Sequence, residues 1–334
     1  MKVAIVSGAS KGKDAVRGIG VHTSELFKAL RMGSNKNIDI PEISPNDDLS
    51  KFDVVHFTSF RPFFISLPFT KPKNTKFVLT IHDLIPLIYP NIYKPGIKGK
   101  LNYLINKFLV KKYVDAIITI SETSKKDIVR FLGVDPKIVN VIYLAPKEVF
   151  KKKIIADHWI MEIDGKQVPR RFALYTGDVN YNKNIPNLIK ACNIANIPLV
   201  IAGKQAYEIK NMNLKHAELK HLKNINWRGV IRVGFVPDEV LVDLYNLATV
   251  YIQPSLYEGF GLPVLEAVAC GTPIVATKTQ ALVEILGKDL DYVDPNDPDD
   301  MARGISNPNK NINLPRIYSW EKAARETMDL YAKV

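Results

Sequence analysis

The sequence has few cysteines and no long apolar run. Its 334 residues include two cysteines, Cys192 and Cys270, which excludes a disulfide-rich scaffold and favours a reducing, cytoplasmic location. Because no apolar run reaches about 18 residues, we expect no membrane-spanning helix. The opening MKVAIVSGAS follows one lysine with a short apolar run, so it predicts a buried strand and no secretory signal.

Several site signatures are also missing. No cysteine and histidine spacing typical of zinc sites occurs, and we find no clear nucleophile–base pair. The acidic segment DPNDPDD (294–300) is interpreted as a solvated turn, so we expect no metal. The segment GASKGK (8–13) fails as a P-loop because its glycine spacing is wrong and Asp14 follows Lys13, which excludes an NTPase of that type.

Positive charge is unevenly distributed along the chain. The formal charge is +12; residues 1–150 hold 23 Lys and Arg against 13 Asp and Glu, and residues 151–334 hold 23 against 21. The basic half suggests a polyanionic or membrane-surface partner. The alternative, a lysine-rich composition that only keeps the protein soluble, stays open. RNA-binding aromatic signatures are missing, so we expect no nucleic-acid partner.

Short Val- and Ile-rich runs alternate with longer helical patterns in two series, which predicts an α/β fold with two doubly wound, Rossmann-like domains facing a central cleft. We predict an N-terminal domain over 1–150, a linker over 151–171, a C-terminal domain over 172–318 and a helix over 319–334 that packs back on the N-terminal domain. The strand predictions are KVAIVSG (2–8), FDVVHF (52–57), FVLTI (77–81), DAIITI (115–120), IVNVIY (138–143), FALYTG (172–177), PLVIAG (198–203), VYIQPS (250–255), PIVAT (273–277) and DYVDP (291–295).

The segment EGFGLPVLE (258–266) carries the strongest local signal. Pro263 suits the first position of a helix, and Gly271 suits the residue after its end. The loop glycines therefore lie at a helix N-terminus, where free amides attract anions and polar oxygens. Glu258 and Glu266 accept hydrogen bonds from hydroxyl groups well, which suits a sugar and a ribose. The alternative is a solvated loop glutamate with a first-turn glutamate that favours the helix dipole.

The longer segment around these glutamates resembles the donor-site signature of family 4 glycosyltransferases, which are retaining enzymes of the GT-B fold. The resemblance extends over nearly the whole chain and implies a glycosyltransferase that uses a nucleotide-diphosphate sugar as co-substrate, with no metal and no other cofactor. The matching segments are PSLYEGFGLPVLEAVACGTPIVAT (254–277), GIGVHTSELFKAL (18–30), LTIHDLIPL (79–87), ITISETSKKDIVRFLGV (118–134), LYTGDVNYNKNIPNLIKA (174–191), GFVPDEVLVDLYNLATVYIQPS (234–255) and YSWEKAARETMDLY (318–331).

The resemblance implies a role for each residue that matches the family motifs. Glu258 would contact hydroxyls of the transferred sugar, Glu266 would hold the nucleotide ribose, and Lys183 would meet the donor diphosphate. Glycines at strand–helix loops would let backbone amides reach phosphate or sugar. The residues predicted to bind the donor in this way are Gly18, Gly20, Gly259, Phe260, Gly261 and Leu262.

One position departs from the family pattern. Many members place an arginine directly after the glycine of the lysine motif, whereas this chain has Asp178 after Gly177. An aspartate cannot bind phosphate in that way. We expect the diphosphate charge to be met by Lys183 together with helix amides or with one of three other basic residues, namely Lys204, Arg228 or Arg232.

Two histidines end predicted strands of the N-terminal half. By resemblance, His82 contacts the donor sugar near the reacting carbon, and Asp83 orients backbone or histidine. His56 has no motif support, and we predict a structural role for it. The family mechanism implied is front-face displacement, in which the donor phosphate takes the acceptor proton while the protein positions the reactants and stabilises the leaving group.

The acceptor is predicted to be a glycan or a lipid-linked molecule bound by the basic N-terminal half. The segment 91–113 has six lysines and no acid, and it could rest on anionic headgroups. The segment FRPFFISLPF (60–69) could fill the acceptor site or enter a membrane. The apolar stripe in 91–113 is interpreted as core-facing; it comprises Leu101, Leu104, Ile105, Phe108 and Leu109.

Two other functions stay open at this point. One is a nucleotide-sugar epimerase or hydrolase of the GT-B fold, which would release a sugar without an acceptor. The other is a non-catalytic binder of polyanions or polysaccharides, which the charge alone suggests but which leaves the glutamate motif unexplained.

Overall fold

A computed structural model describes residues 1–6, 18–33, 40–155 and 160–334. Internal contacts divide the chain into two compact units. The first contains Met1–Ala145 and Tyr318–Val334, and the second contains Pro146–Ile317. None of the helices in these ranges is long and apolar enough to cross a bilayer.

The first unit is built on a parallel sheet of six strands in the order β2-β1-β3-β4-β5-β6. Apart from β2, the strands come from the predicted Val- and Ile-rich runs. Strands β1, β3, β4 and β5 are largely buried, because helices cover both faces of a parallel sheet, whereas β6 at the edge is mostly half-buried. The last two residues of the first predicted strand, 7 and 8, lie outside the described part. The strands are β1 (Val3–Val6), β2 (Glu42–Ile43), β3 (Val54–Phe57), β4 (Lys76–Thr80), β5 (Val114–Thr119) and β6 (Val139–Val141).

Four helices of the first unit follow these strands along the chain. The best defined one begins after Ser121, whose hydroxyl accepts from the amide of Ser124, and ends at Gly133, which adopts a left-handed conformation with φ 64°. This is the expected pairing of a serine N-cap with a glycine at the end. The helices are α1 (Gly18–Gly33), α2 (Ile85–Ile88), α3 (Gly96–Tyr113) and α4 (Glu122–Leu132).

The second unit begins with an antiparallel hairpin and continues with a parallel sheet in the order β11-β10-β9-β12-β13. The segment predicted as a linker, 151–171, falls inside this unit, and the hairpin lies within it. The predicted strand DYVDP (291–295) is wrong, because its residues form only an isolated bridge between Val293 and Thr277. The strands are β7 (Met161–Ile163), β8 (Lys166–Val168), β9 (Ala173–Thr176), β10 (Leu199–Ala202), β11 (Val230–Val233), β12 (Val250–Gln253) and β13 (Ile274–Ala276).

The helices of the second unit pack their apolar residues on this sheet. Strand β9 is central, and its Ala173 and Tyr175 belong to one large buried cluster together with residues of α5 and α10. Two doubly wound α/β units are therefore confirmed. The helices are α5 (Ile185–Ile194), α6 (Lys204–Tyr207), α7 (Asp238–Leu247), α8 (Leu262–Ala269), α9 (Gln280–Leu286) and α10 (Pro298–Ser306).

The last helix, α11 (Trp320–Lys333), returns to the first unit and packs against α1. Ser319 caps it, because its hydroxyl accepts from the amide of Lys322 at 3.2 Å. Its Tyr331 hydroxyl is 2.6 Å from Nδ1 of His56, whose Nε2 is 2.7 Å from Thr80 Oγ1. His56 is thus fully engaged in holding α11 on the sheet, which is a structural role.

Candidate active site

Polar side chains gather at the carboxyl edge of the second sheet, where parallel α/β sheets bind ligands. The loops after β9 and β12 meet there: the amide of Leu256 donates to the carbonyl of Asn182 at 2.8 Å, and the side chain of Asn182 donates to the carbonyl of Tyr257 at 3.1 Å. The side chain of Asn184 also donates to the carbonyl of Pro254 at 3.0 Å. These bonds fix the lysine loop against the glutamate loop.

Glu258 lies in this junction with its carboxylate almost wholly buried. The ammonium group of Lys183 donates to both carboxylate oxygens, at 2.7 and 2.9 Å. Gln253 and Ser255 each donate to Oε1 at 2.6 Å. A buried carboxylate needs such partners, because burial without them is costly. The structure therefore brings together Glu258 and Lys183, which are 75 residues apart in sequence.

The position of Lys183 depends on an unusual backbone turn. Tyr181–Lys183 form one turn of 3-10 helix, and Asn184 follows in the left-handed region with φ 55°. Asparagine tolerates that conformation better than most residues. The turn ends the loop after β9 and begins α5, so Lys183 is oriented by local geometry as well as by its partner.

The glycine loop leads into α8 as the sequence predicts, but the helix begins one residue earlier than predicted. The helix begins at Leu262, so Pro263 occupies its second position. Gly261 has φ 107°, and a Cβ atom there would lie 2.8 Å from Leu282. Only glycine fits such a position without strain. Phe260 and Gly259 are buried beside it. The first turn of α8 lies at this edge of the sheet; within it, the amide of Val264 donates to the carbonyl of Gly261 at 3.1 Å.

Glu266 lies one turn into α8 and is buried. Its Oε2 accepts from the hydroxyl of Tyr245 at 2.8 Å, and that hydroxyl is 2.9 Å from Thr176 Oγ1. Burial raises the pKa of the Glu266 carboxyl from 4.5 to about 7, against the opposing effect of the Tyr245 hydrogen bond and of the charge of Lys147. A carboxyl group held in this way accepts and donates hydrogen bonds near neutral pH.

The candidate phosphate residues are divided by the structure. Asp178, in the place of the expected arginine, is half-buried. Lys204 begins α6 at the carboxyl end of β10 and is exposed, with Nζ 3.9 Å from Glu208. Arg228 precedes β11 and so lies at the opposite, amino edge of the parallel sheet. The guanidinium of Arg232 stacks 5.0 Å above the ring centroid of Trp227. The phosphate roles of Lys204, Arg228 and Arg232 therefore stay predictions.

His82 lies at the carboxyl end of β4 in the first unit and is buried. Its Nε2 is 2.8 Å from Nδ1 of His22, which comes from α1. The Nδ1 atom of His82 has no partner among the described residues. Burial lowers the pKa of His82 from 6.5 to about 4, and burial with the charge of His82 lowers that of His22 well below its ordinary value. Both rings are therefore neutral at pH 7.

The first glycine loop is described only in part. Gly18 begins α1 and Gly20 is buried in its first turn, but the residues before Gly18, with the rest of the predicted loop, lie outside the described residues. Asp83 lies just before α2, and its carboxylate accepts from the amide of Ile85 at 3.1 Å. That contact agrees with the backbone-orienting role expected of Asp83.

Sequence reasoning missed several partners of the predicted residues. Gln253, Ser255 and Tyr245 hold the two glutamates, and His22 holds His82. A signal for Gln253 was present, since it is a polar residue ending an apolar strand directly before the glutamate loop. No local sequence signal indicated Tyr245, because its contact with Glu266 joins two different helices, α7 and α8.

In the described ranges no group of three or more His, Cys, Asp and Glu side chains has the arrangement of a metal site. The acidic segment 294–300 begins α10: the carboxylate of Asp297 accepts from the amides of Asp299 and Asp300. Arg303 donates to Asp300 at 2.8 Å. These carboxylates therefore cap a helix.

Two family profiles match the chain. The family described as Glycosyl transferases group 1 matches residues 160–325, and the family described as Glycosyltransferase Family 4 matches residues 46–145. The first match includes Lys183, Glu258 and Glu266, and the second includes His82.

Relatives of known name support the same family. O-antigen chain mannosyltransferase B of Escherichia coli is 28% identical over 284 residues, which are 76% of this chain and 69% of that protein. The serotype-specific mannosyltransferase WbdA of Escherichia coli is 28% identical over 80% of this chain, which spans only 33% of that protein's length. An uncharacterized glycosyltransferase of Methanocaldococcus jannaschii is 27% identical over 85% of this chain and 76% of its own.

Solved structures share the fold. Sucrose-phosphate synthase from Thermosynechococcus elongatus matches with a TM-score of 0.61 and 18% identity, over 99% of this chain and 94% of its own. The HepE protein of Anabaena, solved with UDP and glucose, matches with a TM-score of 0.61 and 15% identity, over 100% of this chain and 94% of its own. At these identities the likeness concerns the fold, and it confirms the predicted GT-B class.

Proposed function

The chain belongs to the group 1, or family 4, glycosyltransferases, and on that premise we propose that it moves a hexose from a nucleotide-diphosphate sugar to a hydroxyl group of a glycan or lipid-linked acceptor, with retention of configuration. The observation that carries the proposal is the Glu258–Lys183 pair at the carboxyl edge of the second sheet. It sets a hydroxyl-binding carboxylate beside a cation that suits a diphosphate.

Neutral donors hold the carboxylate of Glu258 in place, which supports a sugar-binding role. Gln253 and Ser255 both bind Oε1, so Oε2 has the lysine as its partner among the described residues. A sugar hydroxyl would donate to this carboxylate while the ammonium group of Lys183 turns toward the diphosphate. A compact ammonium group stabilises negative charge that grows on a departing nucleotide.

The rest of the donor would lie over the start of α8. Glu266 would accept from the ribose hydroxyls, and the amides near Phe260, Gly261 and Leu262 would face the diphosphate and sugar. Gly259, Gly18 and Gly20 would allow close approach of backbone to ligand. The basic candidates for a second phosphate contact are Lys204, Arg228 and Arg232, of which Lys204 is exposed at the carboxyl end of β10.

For His82 we propose the family role, a contact with the donor sugar near the reacting carbon. The ring is neutral at pH 7, since burial lowers its pKa to about 4. A neutral imidazole held by His22 through Nε2 can exchange a hydrogen bond with sugar through Nδ1. The chemical step would be front-face displacement without a protein nucleophile, in which the leaving phosphate takes the proton of the acceptor hydroxyl.

The names of the relatives guide the choice of donor. Two relatives in Escherichia coli are named as mannosyltransferases, and HepE was solved with UDP and glucose. We therefore propose GDP-mannose and UDP-glucose as the first donors to test. The proposal further includes a metal-independent reaction, a cytoplasmic location and contact of the basic first half with anionic membrane.

Isothermal titration calorimetry with UDP, GDP, ADP and their sugars tests donor binding. We expect one nucleotide to bind in the micromolar range and Lys183→Ala to weaken it at least tenfold. Lys190→Ala is the matched control, because Lys190 is exposed on the following helix α5. Equal affinity in both variants would remove the diphosphate role of Lys183.

The products distinguish transfer from its alternatives. With donor and a mannose-containing oligosaccharide, we expect NMR to detect a new glycosidic bond with the anomeric configuration of the donor. Release of a free or isomerised sugar without any acceptor would instead identify a hydrolase or an epimerase. Nucleotide binding without turnover of any donor would favour a non-catalytic binder.

A further inference from the structure

Helix α3 is apolar on two faces. Its inner face buries Leu109 and Val110. Its outer face exposes Ile97, Leu101, Leu104 and Phe108, which are 90%, 57%, 61% and 58% exposed. Their spacing of four, three and four residues places them in one stripe along the helix. The interpretation of Leu101, Leu104 and Phe108 as core-facing is therefore wrong, whereas Leu109 is in the core and Ile105 is half-buried.

The segment 61–69 extends this stripe sideways. The buried side chain of Asn106 donates to the carbonyls of Arg61, Pro62 and Phe64, and its Oδ1 accepts from the amide of Ser66. These bonds hold the segment against α3. The side chains of Phe64 and Phe69, both largely exposed, then lie beside the helix.

A shallow apolar groove joins the two parts. Its volume is about 380 Å³, and its lining is mainly apolar and includes Phe69, Leu104 and Phe108. The hydroxyl of Tyr113 donates to the carbonyl of Phe69 at 2.9 Å, which fixes the width of the groove. We call Ile97, Leu101, Leu104, Phe108, Phe64 and Phe69 together the α3 surface.

Lysines surround the α3 surface without any acid from the same segment. Residues 91–113 contain six lysines and no Asp or Glu. Five of these lysines are exposed, and the ammonium group of Lys112 lies 5.3 Å from the ring centroid of Phe108. The sixth, Lys107, donates to the carbonyl of Phe131 at 3.0 Å. Apolar side chains with a cationic rim are the composition of an interfacial helix. The exposed lysines are Lys94, Lys98, Lys100, Lys111 and Lys112.

We propose that the α3 surface docks on the headgroup–acyl boundary of a membrane that contains anionic lipid. The proposed function includes contact of the first half with anionic membrane. The present proposal rests on that part of it and assigns the contact to a particular surface. A second copy of the chain fits less well, because twofold pairing would oppose two lysine rims with no acid between them. Anionic headgroups match the rim, and acyl chains match the stripe and groove.

Vesicle co-sedimentation of the full chain tests this docking. We expect binding to vesicles of equimolar phosphatidylglycerol and phosphatidylcholine, and much weaker binding to phosphatidylcholine alone. The double variant Leu104→Ser/Phe108→Ser should lower the partition coefficient at least about tenfold. The double variant Lys98→Gln/Lys112→Gln should lower it on anionic vesicles only and make it less sensitive to salt.

The matched control is Ile194→Ser/Ile317→Ser, which removes two exposed isoleucines of the second unit and should bind vesicles as the unchanged protein does. Thermal unfolding verifies that each variant is folded. Equal binding by the control and by the Leu104/Phe108 variant would overturn the proposal. The proposal would also be overturned if the unchanged protein did not bind vesicles at low salt but formed a dimer in sedimentation velocity that the Leu104/Phe108 variant abolished.

Nucleotide binding by the same variants, measured by calorimetry, distinguishes failure of the membrane-docking proposal from failure of the proposed glycosyltransferase function. We expect it to be unchanged in every variant, because none alters the donor residues. If the unchanged protein binds nucleotide but not anionic vesicles at low salt, the docking surface alone is overturned. Vesicle binding without any nucleotide or donor binding overturns the proposed function alone.

Discussion

In the second unit a buried carboxylate, Glu258, is joined to a lysine, whereas in the first unit the buried histidines contact neutral groups. Glu258 receives three donor side chains. His82 and His22 contact each other, and burial lowers the pKa of both. The second unit therefore contains a buried ion pair that a ligand could rearrange, whereas the first unit contains buried neutral imidazole rings. The ion pair suits a charged leaving group, and the neutral rings suit an uncharged sugar.

The same contrast gives Glu266 and the buried histidines of the first unit opposite responses to pH. Glu266 has a raised pKa, so its contribution to the stability of the second unit is present below about pH 4.5 and is lost as pH rises through about 7. The histidines have lowered pKa values, so their contribution to the first unit is present above pH 6.5 and is lost as pH falls toward about 4.

Lys183→Met should break the ion pair. We expect turnover of the donor to fall about a thousandfold, because the leaving diphosphate loses its cation. Stability should also fall by about 3 kcal/mol, because Glu258 is left buried without its charged partner. Steady-state kinetics and denaturant unfolding measure the two effects.

The double variant Lys183→Met/Glu258→Gln separates these two effects. It should recover most of the lost stability, since no buried carboxylate remains, but none of the turnover. Lys190→Met serves as the control for removal of a lysine. Recovery of turnover in the double variant would contradict a direct role of Lys183 in the reaction.

His82→Gln should lower turnover about a hundredfold, because the sugar loses one positioned hydrogen-bond partner. Glutamine can still contact His22, so we expect the fold to persist. His216→Gln is the control, since His216 is exposed in the second unit. Turnover within about twofold of the unchanged protein would place His82 among the purely structural histidines, with His56.

Glu266→Gln should stabilise the second unit above pH 7 and not below pH 4.5. The pKa of about 7 means that ionisation of Glu266 costs the folded state up to about 3 kcal/mol, and glutamine avoids this cost. Nucleotide affinity should fall about tenfold in exchange. Free energies of unfolding at pH 5 and pH 8 test it; an equal change at both values would contradict the titration.

Mild acid should open the first unit before the second. At pH 5.5, one unit below the ordinary histidine pKa, each buried histidine costs at most about 1.4 kcal/mol. Hydrogen exchange resolved by segment is the suitable measurement, because two units need not unfold together. Faster acid opening of β9 and β12 than of β3 and β4 would be the opposite result.

Much of the fold follows from local sequence, because a strand of a parallel sheet is buried on both faces and therefore reads as a continuous apolar run. The sequence of strand β11 does not show such a continuous apolar run. The strand lies at the edge of its sheet and is mostly half-buried, and it contains Arg232. The segment 291–295 has apolar residues but pairs through one bridge only, so a short apolar run was insufficient evidence for a strand.

The candidate site was predictable where a motif fixes its chemistry. The motifs predict Glu258 and Lys183 separately, but they do not predict the contact between them, because it depends on how the two loops meet. The two faces of α3 show the same limit. Both are apolar, and the buried one carries Asn106, whose side-chain amide donates to carbonyls more than 40 residues away in sequence. Such a contact leaves no local periodic pattern.

The return of α11 to the first unit has a consequence for biosynthesis. Residues 146–317 form the second unit from one continuous segment, whereas the first unit needs residues 318–334 as well. During synthesis on the ribosome, the sheet of the first unit emerges early. The contacts of His56 with Tyr331 and of His22 with Trp320 form only after the last helix has been synthesised. The nascent first unit therefore exposes the α1 face that α11 later covers, and it is completed only after the whole second unit has been synthesised.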